Sequence, residues 1–278
     1  MALLDSRAAV LMDGAMGSEL LRAGARVDDC LEAWNLTRPA TVCAIHRSYV
    51  QAGARVLLTN TFQANRGNLA RHGLENQLAD ILRAGVALAR ACAGNDGLVL
   101  GDIGPCELDA IAEILTPLAD ADGIVLETWS DSGALLAARQ CRSQLPATTP
   151  LLLSITYRHE PDGQLTTLDG RTPEFFAERA ESAGVSALGV NCGRDIDLND
   201  MVEIVRRYRA ATNLPLLVRP NAGNPGRAGA GWEYPCTPAR MAEQVPALVQ
   251  AGATLIGGCC GTTPGHIREC SVFLERSE

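Results

Sequence analysis

The feature that most constrains this chain is a repeated alternation. Short, almost uninterrupted apolar runs recur at residues 9–14, 55–60, 98–103, 123–128, 151–156, 187–191, 216–221 and 254–259. Such runs suit strands buried on both faces of a parallel sheet. Stretches of helical character lie between and after them, at 39–52, 74–93, 108–119, 132–144, 173–183, 198–211, 238–251 and 264–273. Four of these open with a proline, at Pro39, Pro173, Pro238 and Pro264. Proline costs nothing there, because the first helical turn has no use for the missing N–H. Three close with Ala-Gly, at Gly53, Gly184 and Gly252, where glycine readily adopts left-handed backbone.

Eight strands alternating with eight helices predict an α/β fold, the (β/α)8 TIM barrel. A length of 278 residues suits one such barrel. No linker or compositional break divides the chain, so residues 1–278 read as a single domain. The glycine-rich segment 221–231 reads as a long loop after the seventh strand.

Composition narrows the chemistry. All 24 basic residues are arginine, which excludes Schiff-base lysines and the phosphate-binding lysine of a P-loop. A net charge of -8 without any basic cluster argues against nucleic acid or an anionic membrane as partner. No apolar run approaches the roughly 18 residues of a membrane span, and the opening segment lacks the apolar core of a signal peptide. A cytoplasmic location is therefore expected. The ten cysteines then read as free, metal-bound or catalytic rather than as a disulfide framework.

In barrels of this kind the site lies at the C-terminal ends of the strands. Those ends read Asp13-Gly14, Thr59-Asn60-Thr61, Gly101-Asp102, Glu127-Thr128, Thr156, Asn191-Cys192-Gly193, Pro220-Asn221-Ala222-Gly223 and Gly258-Cys259-Cys260-Gly261. Closure of the barrel lets Cys192 meet Cys259 and Cys260 at one rim. Position alone leaves two readings open: small buried side chains, or a three-thiolate zinc site with a fourth place free for a substrate thiol. Cys43, Cys92 and Cys141 read as buried small side chains, and Cys30, Cys106, Cys236 and Cys270 have no evident convergent partners.

The segments themselves carry a resemblance. Gly257-Gly258-Cys259-Cys260-Gly261-Thr262-Thr263-Pro264-Gly265-His266-Ile267 resembles the terminal signature of the homocysteine S-methyltransferase family, and Gly189-Val190-Asn191-Cys192 its other zinc segment. Asp13-Gly14-Ala15-Met16-Gly17-Ser18, Thr59 to Asn65, Gly101 to Pro105, Glu127-Thr128 and Pro220 to Gly223 continue the match in order.

The resemblance implies Zn2+ on Cys192, Cys259 and Cys260. It places Asp13 and Glu127 at the ammonium of homocysteine, the backbone amides of Met16, Gly17 and Ser18 at its carboxylate, and Asn221 beside the metal. The glycines of the Gly257-Gly258 pair are expected to leave room for metal and substrate.

Residues 32–39 look most like the homocysteine-binding module of cobalamin-dependent methionine synthase. The implied methyl donor is a methyl-corrinoid partner, S-methylmethionine or a betaine-like compound. Betaine recognition favours aromatic groups, and only 4% of residues are aromatic. Trp34, Trp129, Trp232, Tyr157 and Tyr234 are nevertheless expected in rim loops, which leaves a sulfonium or ammonium donor open beside ordinary loop packing. One departure is a third loop, after Gly104-Pro105, shorter than in relatives. The alternatives are a methyltransferase acting on another thiol or selenol, and a non-catalytic zinc-binding barrel subunit of a corrinoid system.

Overall fold

The computed structural model describes residues 9–228 and 231–275. The expectations resting on the opening residues 1–8 and on the Trp232 side chain fall outside what is described. The barrel strands are β1 (Val10–Leu11), β2 (Val56–Leu58), β3 (Leu98–Ile103), β4 (Gly123–Trp129), β5 (Leu151–Ile155), β6 (Ala187–Asn191), β7 (Leu216–Arg219) and β8 (Ala253–Ile256). All pair in parallel, in the order β1-β8-β7-β6-β5-β4-β3-β2. A parallel bridge between Met12 and Val56 brings β1 against β2 and completes the ring. The fold is the (β/α)8 barrel that the alternation predicts.

Why the strands read as continuous apolar runs is visible in the packing. Met12, Val56, Leu58, Leu100, Val125, Leu152, Ala187, Leu217 and Leu255 fill the barrel interior as one cluster. Their neighbours Leu57, Val99, Ile124, Leu126, Leu151, Leu153, Leu188 and Val218 point outward into the larger core under the helices. Successive side chains of a strand alternate faces, and both faces here are dry. The same period of two carries Asp102, Glu127, Ser154 and Arg219 inward, each two residues beyond an interior apolar side chain. The floor of the barrel mouth is therefore polar.

Helix boundaries follow local chemistry. Thr237 caps the helix Pro238–Ala242 by accepting a hydrogen bond from the Arg240 amide at 3.3 Å. The single helix expected over 238–251 is instead two, Pro238–Ala242 and Val245–Ala251, because Pro246 cannot donate into a continuous helix. The long loop expected over 221–231 contains one arm of a short antiparallel hairpin, Gly226–Ala228 against Gly231–Glu233. The third loop is short, with a 3-10 turn at Leu108–Ala110 soon after Ile103. Among the described residues no helix is long and apolar enough to cross a membrane.

Candidate functional site

The thiols come together at the mouth. The Sγ atoms of Cys192, Cys259 and Cys260 lie within 4.8 Å of one another, with Cys192 and Cys260 3.9 Å apart. Two loops deliver them. Cys192 follows β6 directly and sits in left-handed backbone at φ 57°. Cys259 and Cys260 follow β8 in a turn whose Thr262 hydroxyl donates to the Cys259 carbonyl at 2.7 Å and accepts from the Ala15 amide at 3.0 Å.

Gly257 and Gly258 serve backbone packing rather than the open room expected of them. A Cβ on Gly257 would stand 2.7 Å from the Asp13 carbonyl, and one on Gly258 would collide with Thr262. The Cys260 carbonyl accepts from the Ala222 amide at 2.9 Å, tying this turn to the end of β7.

Electrostatically the three sulfurs act as one group. Hydrogen bonds from the thiols of Cys259 and Cys260 hold Cys192 as a thiolate, its pKa lowered to about 3. The same contact with Cys192 pushes Cys259 up to about 11 and raises Cys260 as well. The cluster thus holds one thiolate and two thiols, a donor set suited to a thiophilic metal ion.

The sulfurs line a cavity of about 380 Å³ that runs from the barrel mouth past Asp13, the Met16–Ser18 segment, Asp102, Glu127 and Arg219. Asp13 accepts from the Leu58 amide at 2.8 Å. Met16 and Gly17 begin the helix Met16–Arg22, and the Ser18 hydroxyl accepts from the Gly261 amide at 3.0 Å. Asn221 is buried beside Cys192. Its amide nitrogen donates to the Gly193 carbonyl at 3.4 Å, while its Oδ1 has no partner.

Two functional side chains escape the sequence reading. Arg219 is buried between the carboxylates, with Nη1 2.6 Å from Glu127 Oε1 and Nη2 3.1 Å from Asp13 Oδ1. Its Nε donates to the Gly258 carbonyl at 3.1 Å and Nη2 also to the Gly14 carbonyl at 3.3 Å. Burial raises Asp13 and Glu127 to about 7 each, against the lowering pull of Arg219. Asp13 and Glu127, the residues expected near the ammonium, are both ion-paired with Arg219. The signal was present: a lone charge closing the apolar run of β7, in register with the inward-facing Leu217.

The second is Asn191, fully buried, whose amide nitrogen donates to Thr128 Oγ1 at 2.6 Å and approaches Cys259 Sγ at 3.7 Å. Its Oδ1 accepts from the Ser154 hydroxyl at 2.6 Å and the Thr128 amide at 3.2 Å. It links the ends of β4, β5 and β6 to the thiol cluster.

Three aromatics expected at the rim are core residues. Trp34 is buried under the Arg38 guanidinium, Trp129 lies within β4, and Tyr157 packs against Phe176 and Tyr208. Tyr234 does stand by the thiols, its ring filling the space where a Cβ on Gly261 would project. Cys30 also departs from expectation, lining the cavity and directing its thiol to Glu32 Oε2 at 3.8 Å. Cys92 and Cys141 are buried, as read from the sequence, whereas Cys43 is partly exposed.

The sequence and fold have counterparts among known proteins. The chain is 34% identical over 306 residues to methionine synthase of Mycobacterium tuberculosis, an alignment covering 98% of this chain and 25% of that one. It spans about a quarter of the length of that protein and of the Mycobacterium leprae methionine synthase. It is 30% identical to homocysteine S-methyltransferase of Escherichia coli, covering 96% of this chain and 95% of that one. The metallated crystal structure of the Escherichia coli homocysteine methyltransferase MmuM superposes with a TM-score of 0.79 at 27% identity, over 98% of each chain. The homocysteine S-methyltransferase family model matches residues 10–274. The chain belongs to the homocysteine S-methyltransferase family.

Proposed function

We propose that this chain transfers a methyl group to the sulfur of L-homocysteine, giving methionine, with zinc held by Cys192, Cys259 and Cys260. The observation that carries this reading is the convergence of three thiols on the wall of a cavity sized for a small amino acid. Zinc–thiolate bonds of about 2.3 Å set tetrahedral ligands about 3.8 Å apart. The Cys192–Cys260 separation of 3.9 Å fits that spacing. Three protein ligands with one open position is the pattern of a catalytic zinc. Bound there, zinc would keep the acceptor's sulfur deprotonated at neutral pH.

The chain's own residues do the rest. Asp13 and Glu127, with Arg219 between them, form the polar floor at the acceptor's amino end. Backbone N–H groups of Met16, Gly17 and Ser18 lie at a helix start, where amides lack intrahelical acceptors, and face its carboxylate. Asn221 and Asn191 hold Cys192 and Cys259 in place. In the transfer, a lone pair on the acceptor sulfur forms the new S–CH3 bond in line. The donor–CH3 bond breaks, and its electron pair leaves with the donor. The cavity's contribution is proximity and alignment.

Similarity to the methionine synthases favours a methyl-corrinoid donor. The inward burial of Trp34, Trp129 and Tyr157 leaves little of the aromatic cage that betaine recognition uses. The test is turnover of zinc-loaded protein with homocysteine against methylcobalamin, S-methylmethionine and betaine. Methionine formed from methylcobalamin supports the reading, and none from any donor overturns the activity.

Metal binding has a proton signature. Cys192 is already a thiolate, whereas Cys259 and Cys260 keep their protons at neutral pH. Loading zinc at pH 7.5 is therefore expected to release about two protons. Calorimetry in buffers of different ionisation enthalpy measures this number. Release of three would show that no thiolate is preformed.

A further inference from the structure

Asn191 ends β6, wholly buried one residue before Cys192, and its amide has a fixed orientation. The Thr128 backbone N–H lies 3.2 Å from Oδ1, and a backbone N–H can only donate. The Ser154 hydroxyl donates to the same oxygen at 2.6 Å. Oδ1 is thereby turned to β4 and β5. Nδ2 then faces Thr128 Oγ1 at 2.6 Å and Cys259 Sγ at 3.7 Å. An amide nitrogen has two hydrogens and accepts nothing, so the contact with the sulfur is a donated bond.

The backbone on either side is strained. Thr128 sits at φ 59° and Cys192 at φ 57°, left-handed conformations that are rare for any side chain and rarest for a β-branched one. Such strain persists where surrounding bonds over-determine it, and it gathers at functional sites. Here Asn191 bonds Thr128 through both its backbone N–H and its hydroxyl. Both strained residues line the cavity.

Orientation matters because a metal-loaded cluster holds several sulfur nucleophiles at once. Three cysteine thiolates and the acceptor's sulfur would stand around one ion, and the methyl group must go to only one of them. Methylation of Cys259 would form an S–CH3 bond with a sulfur lone pair. The donor–CH3 bond would break, its electron pair leaving with the donor, and a neutral thioether would replace a ligand. An N–H donated to Cys259 occupies lone-pair density, and it is charge-assisted only while that sulfur stays anionic. The bond therefore disfavours methylation of the sulfur that receives it.

We propose that Asn191 shields Cys259 from self-methylation and so directs the methyl group to the acceptor. This rests on reading the three thiols as zinc ligands. Asn191 acts through Cys259 and is a positioning residue, with Thr128 and Ser154 aiming its amide.

The experiment treats zinc-loaded protein, without homocysteine, with methyl iodide and locates S-methylcysteine by peptide mass spectrometry. Methyl iodide needs no donor pocket, so the result is independent of the natural donor. Cys260 is the internal reference, because the Asn191 nitrogen is directed to Thr128 and Cys259. Asn191→Ala should raise methylation of Cys259 relative to Cys260 roughly tenfold over the wild type. Asn191→Leu, close in volume and without a donor, is read the same way if the alanine variant fails to fold or to hold zinc. An unchanged ratio in a folded, zinc-loaded variant overturns the proposal, as does a rise shared equally by both cysteines. The wild type offers a check without any variant. Loaded with cadmium-113, it should show scalar coupling from the metal, across the sulfur, to the Asn191 side-chain N–H. Absence of that coupling also overturns the proposal. Zinc uptake with an unchanged ratio removes this inference alone, whereas wild-type protein that takes up no zinc overturns the ligand reading as well.

Discussion

Cys192→Ala, Cys259→Ala and Cys260→Ala are each expected to lose stoichiometric zinc and roughly a thousandfold or more of methyl-transfer activity, whereas Cys141→Ala keeps both. The magnitude follows from the several kcal/mol a metal contributes by activating its bound nucleophile. The contrast follows from position. Cys141 is fully buried on the helix Gly133–Gln144, away from the mouth, and chiefly burial raises its thiol to about 12. The three rim sulfurs share one 4.8 Å cluster, so removing any one leaves two ligands. Metal analysis after gel filtration, paired with turnover, reads the result. Full zinc occupancy in any of the three variants would remove that cysteine from the ligand set.

Arg219→Met should be the most destabilising single change at the site. It leaves Asp13 and Glu127 buried without a cation, and breaking a buried ion pair on one side costs about 3–5 kcal/mol. For a barrel of this size that corresponds to a fall in melting temperature of roughly 10 °C. Adding Asp13→Asn and Glu127→Gln to Arg219→Met should recover part of the loss, because the orphaned charges go with their partner.

The pH dependence has a definite sign. Burial raises Asp13 from 3.8 to about 7. The stability that its protonated form contributes is therefore fully present below about 3.8 and lost as pH rises through about 7. Thermal melts of the wild type and Asp13→Asn across that window check it. A wild-type advantage that grows with pH would contradict this description of the site.

The barrel was legible because its signal is physical and repeated. Two dry faces on each strand produce the apolar runs, and proline and glycine mark the helix ends; Gly53, Gly184 and Gly252 indeed adopt positive φ. The segments holding the three thiols could be read from adjacency and strand position.

What could not be read was pairing across the barrel. Arg219 stands beside Pro220 in sequence, but its partners Asp13 and Glu127 are 206 and 92 residues away. Nothing local states that these carboxylates already have a cation. The aromatics misled for a related reason. Trp129 and Tyr157 follow polar rim positions, yet both pack into the core under the helices, Trp129 after a register shift between Leu126 and Trp129. Asn191 appeared as part of a motif, while its role as a four-way link depends on Ser154, Thr128 and Cys259 arriving from three other segments.

The central claim is that the thiol cluster holds a zinc ion whose open place receives the acceptor's sulfur. Zinc K-edge X-ray absorption on the loaded protein, with and without homocysteine, tests it most directly. The account predicts three sulfur neighbours alone and four when homocysteine is added. Three sulfurs in both spectra would contradict it, leaving a structural metal and a different chemistry for the cavity.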